Sequence, residues 1–268
     1  VSFQGERGAY SEDAAISFFH DKIQTISCQT FAKVLKNTED GESDYSILPI
    51  ENSLEGSVGE SNDLLLSTNL NAIGEIYHQI QHCLIGKGQI EDVDTVYSHP
   101  QALGQCRQFI EQHSLKAIPS YDTAGSVKII KELNSKNYAS IASKGAAKIY
   151  DVPVIQEGIA DKTDNYTRFL VFSQKNVDKI KNGKTSVIFS VKHEAGALYR
   201  VIKQFHEHKI NLTKIESRPN KNTPWEYNFY VDFEGWQDDG EIKDILSKIQ
   251  ENTSFLKILG SYPISKLD

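Results

Sequence analysis

Methionine is absent from all 268 residues and cysteine occurs only three times. Cys28, Cys83 and Cys106 are odd in number, far apart and set among apolar neighbours, which fits a reducing cytoplasm better than a disulfide scaffold. Long hydrophobic runs are also missing, since the longest last only a few residues against the ~20 that a membrane span needs. Positive charge is in short supply: the net charge is -7 and no basic block occurs, so nothing draws the chain to nucleic acid. No secretory leader stands before the strand-like Val1, Ser2 and Phe3, and without Met at the first position we expect a trimmed start and a cytoplasmic chain. Catalytic signatures are sparse as well. There is no cluster of metal ligands, no carboxylate pair at defined spacing, no G-x-S-x-G elbow and no G-x-x-x-x-G-K-[ST] loop.

What is present is alternation. The length suits two or three compact units, and strand-like and helix-like segments follow one another along most of it. Val1 to Phe3 runs into a loop flanked by Gly5 and Gly8, then into a helix opening with Ser11, Glu12 and Asp13. Such a turn is either an anion site, because free backbone donors point outward there, or an ordinary tight connection. Its G-x-x-G spacing is not a dinucleotide fingerprint. A strand over Tyr45 to Ile50 ends in Glu51, Asn52 and Ser53, which are placed either for a ligand or for a helix cap. His78 and His82 fall on an extended crossing, roughly 13 Å apart, too far to share a metal. Pro100 suits a first helical turn, leaving Ser98 and His99 at the end of a strand, where His99 is a site residue or a cap. Thr123 opens a further helix.

Asn165, Tyr166, Thr167, Arg168 and Phe169 lead into the apolar Leu170, Val171 and Phe172, a buried strand. An arginine at its mouth is paired, exposed, or there to hold an anion. Two strand-helix series joined by a crossing near 76–84 and a return near 156–168 imply two lobes of parallel sheet with a cleft between them. The cleft candidates are Ser11, Glu51, Asn52, Ser53, His99, Thr123, Asn165, Thr167 and Arg168: many neutral donors and one firm cation, an inventory for a small oxygenated carboxylate.

Residues 176–184 are polar and read as a linker. Beyond them the order strand-helix-strand-strand-helix-strand is ferredoxin-like. With helices on one sheet face only, its edges and other face need partners or solvent, and pairing with a second copy is the expected remedy.

Four motifs carry a family likeness. Phe3-Gln4-Gly5-Glu6-Arg7-Gly8-Ala9-Tyr10-Ser11, Leu48-Pro49-Ile50-Glu51-Asn52-Ser53-Leu54-Glu55-Gly56, Ser98-His99-Pro100-Gln101-Ala102-Leu103 and Asn165-Tyr166-Thr167-Arg168-Phe169 closely resemble prephenate dehydratase. In the tail, Gly196-Ala197-Leu198 and Glu216-Ser217-Arg218-Pro219 resemble the phenylalanine-binding motifs of the ACT domain fused to that enzyme. Two departures stand out: Glu6, Arg7 and Ala9 replace the G-P-x-G-T-[FY] start of many bacterial members and resemble plant arogenate dehydratases, and Tyr199 follows Leu198 where an aliphatic is usual.

The resemblance implies an α/β fold: a two-lobed, periplasmic-binding-protein-like catalytic domain over 1–175, with lobe one at 1–76 and 159–175 and lobe two at 77–158. A ferredoxin-like α+β ACT regulatory domain would follow at 185–264. It implies a lyase that converts prephenate to phenylpyruvate with loss of water and carbon dioxide, without a cofactor or a metal. Thr167 would assist the leaving hydroxyl, Arg168 would clamp a carboxylate, and Asn52, Ser53, Asn165, Thr123 and Ser11 would donate hydrogen bonds. Glu51 would orient a group or act as a structural acceptor, and His99 is the competing acid. L-phenylalanine would bind at Gly196, Ala197, Leu198, Glu216, Ser217, Arg218 and Pro219 in a homo-oligomer, dimer or tetramer, and inhibit. The alternatives are an arogenate dehydratase and, from another class, a non-catalytic amino-acid-responsive sensor.

Overall fold

In the computed structural model residues 1–20, 23–220, 223 and 225–266 are described. The chain runs β1 (Ser2–Gln4), α1 (Tyr10–Phe19), β2 (Ile26–Cys28), α2 (Phe31–Glu39), β3 (Ser46–Asn52), β4 (Gly56–Ser57), α3 (Gly59–Leu65) and β5 (Asn71–Gln79). It continues through β6 (Cys83–Gly86), β7 (Thr95–Ser98), α4 (Pro100–Gln105), α5 (Arg107–Gln112), β8 (Lys116–Pro119), α6 (Thr123–Leu133), β9 (Tyr138–Ala142), α7 (Lys144–Tyr150), β10 (Val154–Glu157) and β11 (Tyr166–Ser173). The tail adds β12 (Gly183–Ser190), α8 (Ala197–Glu207), β13 (Leu212–Pro219), β14 (Tyr227–Glu234), α9 (Gly240–Asn252) and β15 (Phe255–Pro263). β12 starts inside the span read above as a linker. Two compact units result, Val1–Ser61 with Ile76–Phe169, and Asn62–Glu75 with Leu170–Asp268.

Helix starts follow local chemistry. Thr30 caps α2 through Lys33 N, Asp122 caps α6 through Gly125 N, and Ser143 caps α7 through Ala146 N. At α4 the cap is the imidazole of His99, which accepts from Gln101 N, with Pro100 in the first turn. Strands β1 to β11 form two sheets. One has the order β2-β1-β3-β11-β5, with β4 on β3, and its β2, β1 and β3 are parallel. The other has the order β10-β6-β9-β7-β8. There β8, β7 and β9 are parallel, but β6 and β10 run antiparallel, so this sheet is mixed rather than purely parallel.

The tail sheet has the order β13-β14-β12-β15, all antiparallel, as a ferredoxin-like connection requires. Val187, Phe189, Val231 and Phe233 pack on one face against Val201, Phe205, Ile242, Ile245 and Ile249 of α8 and α9. The other face is covered within the unit itself, while β13 and β15 stand at the edges of the sheet. Its central strands are polar and buried, and the unit's own segment Asn62–Glu75 covers them. Lys184 Nζ bonds both Glu75 carboxylate oxygens at 2.7 and 3.0 Å, and Lys257 Nζ donates to the carbonyls of Leu65, Leu66 and Thr68. A Cβ on Gly260 would stand 2.3 Å from the Ala72 carbonyl oxygen, so only glycine admits this approach. All three cysteines are buried and free.

Candidate active site

A cavity of about 420 Å³ opens in the first unit. Pro49 and Asn52 of β3, Thr167 and Phe169 of β11, and Tyr10 and Ser11 of α1 form one side. Ile80, His82, His99, Gln101, Gln105 and Thr123 form the other. Three helices, α1, α4 and α6, present their first residues to it, and α1 has no side-chain cap at Ala9. No lysine or arginine lines it among the described residues, while Glu60 and Asp122 do. Helix N-termini and oriented N–H groups, rather than a side-chain cation, are what the lining offers an anion.

The polar lining is a chain of side chains whose orientations follow from one another. Asn52 Oδ1 accepts from the backbone N–H groups of Leu54 and Glu55, both at 3.0 Å. That local turn leaves only the amide nitrogen to face inward. Asn52 Nδ2 donates to Asn165 Oδ1 at 2.7 Å, Thr167 Oγ1 at 3.0 Å and the Tyr166 carbonyl at 3.2 Å. Asn165, whose side chain is fully buried, then turns its own Nδ2 to Gln105 Oε1 at 3.0 Å. Gln105 Oε1 also meets His82 Nε2 at 2.8 Å, which sets the proton on that nitrogen. His82 Nδ1 is then an acceptor and lies 2.9 Å from the Tyr10 hydroxyl, whose one proton also has the Gln81 carbonyl within reach at 2.8 Å. Thr167 accepts from Asn52, so its own hydroxyl proton is free to point into the cavity.

Burial holds the His82 pKa below its ordinary value, against the raising effect of Gln105, and pushes the Tyr10 hydroxyl up, so both are neutral near pH 7. Burial also raises the pKa of Asp122, opposed by the N–H groups it caps. No three His, Cys, Asp or Glu side chains among the described residues come together as a metal would require.

Of the residues singled out from sequence, Ser11, Asn52, His99, Thr123 and Thr167 line the cavity, and Asn165 stands immediately behind. Three do not line it. Arg168 is buried and engaged, but it lies between Thr167 and Phe169 on a strand whose side chains alternate, so it faces away from them. Ser53 ties β3 to the return, donating to the Asp164 carbonyl and accepting from Tyr166 N. Glu51 pairs its backbone with Ser57 of β4. His99 combines a cap with a place on the wall. Tyr10, His82 and Gln105 were missed as site residues. Tyr10 lies inside the first of the four motifs, and Gln105 falls two positions beyond Leu103, where the third ends.

In the tail, Gly196 takes φ +79°, the left-handed conformation that glycine favours, before α8 begins. Register aligns Ser190, Asn228 and Arg218 in one row, so the loop to Gly196 leaves the same end of the sheet as Glu216 to Pro219. Arg218 Nε bonds Asp63 Oδ1 at 3.1 Å.

A two-lobed α/β unit around a cavity lined with hydroxyls and amides, followed by a ferredoxin-like tail, is the architecture of a small-molecule-binding protein with an ACT-like domain. The family model described as prephenate dehydratase matches residues 1–177. A bifunctional chorismate mutase/prephenate dehydratase of Aquifex aeolicus is 38% identical over 98% of this chain and 73% of its own. The chloroplastic arogenate dehydratase/prephenate dehydratase 2 of Arabidopsis thaliana is 39% identical over 98% of this chain and 72% of its own. Among solved structures, GqqA, described as a novel type of quorum quenching acylase, superposes with TM-score 0.90, 29% identity and coverage of 98% and 97%. Prephenate dehydratase of Arthrobacter aurescens in complex with L-Phe superposes with TM-score 0.89, 27% identity and coverage of 98% and 90%. The chain belongs to the prephenate dehydratase family and is a lyase acting on prephenate- or arogenate-type substrates. Among the described residues no helix is long and apolar enough to cross a membrane.

Proposed function

We propose that this enzyme converts prephenate to phenylpyruvate, with Thr167 at the leaving hydroxyl. The observation that carries the reading is the Asn52–Thr167 hydrogen bond, which makes the threonine oxygen an acceptor and frees its proton for a departing oxygen. Loss of carbon dioxide releases an electron pair into the ring, the pair expels the 4-hydroxyl, and aromaticity drives the step. A threonine hydroxyl is a poor acid, so its contribution is a hydrogen bond to the developing hydroxide. The substrate carboxylates meet the N-termini of α1 and α6, with Ser11 and Thr123 beside them, in place of Arg168. His99, with its Nδ1 engaged by Gln101 N, is the weaker candidate for the acid.

Phenylalanine binding at Gly196 to Leu198 and Glu216 to Pro219 in a dimer or tetramer, with inhibition, is supported by the motifs and by the L-Phe complex of the Arthrobacter aurescens protein. An acylase would need an activated nucleophile, and the polar neighbour of Thr167 is an amide rather than a base, which favours elimination. Steady-state turnover of prephenate and of arogenate, with and without phenylalanine, tests the reading. Prephenate turnover that falls as phenylalanine rises is expected; preference for arogenate changes the substrate, and silence on both overturns it.

A further inference from the structure

The Asn52–Thr167 pair does not stand alone, and what lies behind it comes from the other side of the cavity. Gln105 ends α4, the short helix that brings His99, Gln101 and Ala102 to the wall. Its backbone carbonyl accepts from Asp161 N at 2.8 Å, its amide nitrogen donates to Glu55 at 3.3 Å, and its side-chain oxygen collects Asn165 and His82 together. Asn165 is a donor in the orientation set from Asn52, so position 105 must supply an acceptor there, and the second lone pair of that oxygen receives His82 Nε2–H. A side chain of equal size without an oxygen would leave the buried Asn165 amide and the His82 Nε2–H unsatisfied at once.

Resting on the elimination proposed above, we propose that Gln105 and His82 are positioning residues for that reaction. They hold Asn165, and through it the Asn52 amide, so that Thr167 keeps its oxygen turned to Asn52 and its proton turned to the substrate. His82 is held in turn by the hydroxyl of Tyr10, which also lines the wall. The same oxygen of Gln105 registers the α4 wall against β11, so the distance across the cavity and the direction of the threonine proton are set by one atom.

The role is separable from packing. Gln105→Met keeps length and volume and removes the acceptor. It should lower kcat about 10- to 100-fold with KM within about threefold. Gln105→Glu, combined with Glu55→Gln to remove the like charge beside it, keeps the acceptor and places a negative charge on the wall. It should hold kcat within about threefold and raise KM for an anionic substrate. His82→Leu cuts the link from the far side and should lower kcat less than Gln105→Met, which keeps the test open should that variant fold poorly. Wild-type kcat in folded Gln105→Met, or equal kcat losses in the Met and Glu variants, would overturn the proposal. A wild-type enzyme silent on both prephenate and arogenate would instead remove the elimination reading beneath it.

Discussion

At the cavity the buried network is neutral: amides of Asn52, Asn165 and Gln105, the hydroxyls of Thr167 and Tyr10, and an imidazole held uncharged by burial. On the tail sheet it is ionic: Lys184 with Glu75, and Asp232 accepting from Ser186, whose hydroxyl also meets that of Tyr262. Each sits among buried residues, yet they differ in what is left over. The tail network also binds Ser265 N to Glu75 at 3.2 Å and gives a register that a shifted strand would break. The cavity network leaves one hydroxyl proton uncommitted, and it is built from groups whose polarity survives without a counter-ion. Charge in an enclosed place specifies packing; directed neutral dipoles beside a cavity are arranged for what enters.

The sharpest way to break this contrast is Thr167→Val. Loss of at least about 100-fold in kcat with an unchanged melting temperature is expected, and full turnover would place the chemistry elsewhere. Next is Lys184→Met, which strands the Glu75 carboxylate. Denaturant titration should show about 3–5 kcal/mol lost, whereas Lys184→Met with Glu75→Leu should recover most of it. Equal losses in both would mean that the pair is not what holds the face.

A third carboxyl sharpens the comparison because neither network neutralises it. Asp13, in the first turn of α1, is raised to about 6 by burial and then by Glu12, against a hydrogen bond from Ser143. The folded chain thus binds a proton that the unfolded chain has released between about pH 4 and about pH 6. Stability from this group falls as pH rises through that window. Asp13→Asn should remove that slope, and an unaltered pH–stability curve would refute the shift. Smallest is Ser53→Ala, which should cost about 1 kcal/mol and little activity, since its hydroxyl joins strands rather than facing the cavity.

Much of the fold is legible along the chain because local signals mark it. Pro100 after His99, Asp122 before Thr123 and Ser143 before Lys144 announce helix starts, and the alternation of Val187 and Phe189 marks a strand. The site is legible only in part. Asn52 and Thr167 are 115 positions apart, and Gln105 and Asn165 are separated by 60, so no periodicity links them. Arg168 is a different case: the two-residue period of β11, readable in Tyr166 to Ser173, sets it on the opposite face of the strand from Thr167. The covered face of the tail sheet was illegible because its cover, Asn62–Glu75, lies more than a hundred residues away.

The turn at Asn52 also bears on how the enzyme ages. An asparagine before serine loses ammonia when the following backbone nitrogen attacks the side-chain carbonyl, and the product aspartate would face three acceptors where the amide now donates. In the fold that nitrogen, Ser53 N, is held by the Tyr166 carbonyl at 2.8 Å. The strand pairing that assembles the site therefore also slows its chemical clock, and wear at this position should accumulate in molecules that open rather than in those that turn over.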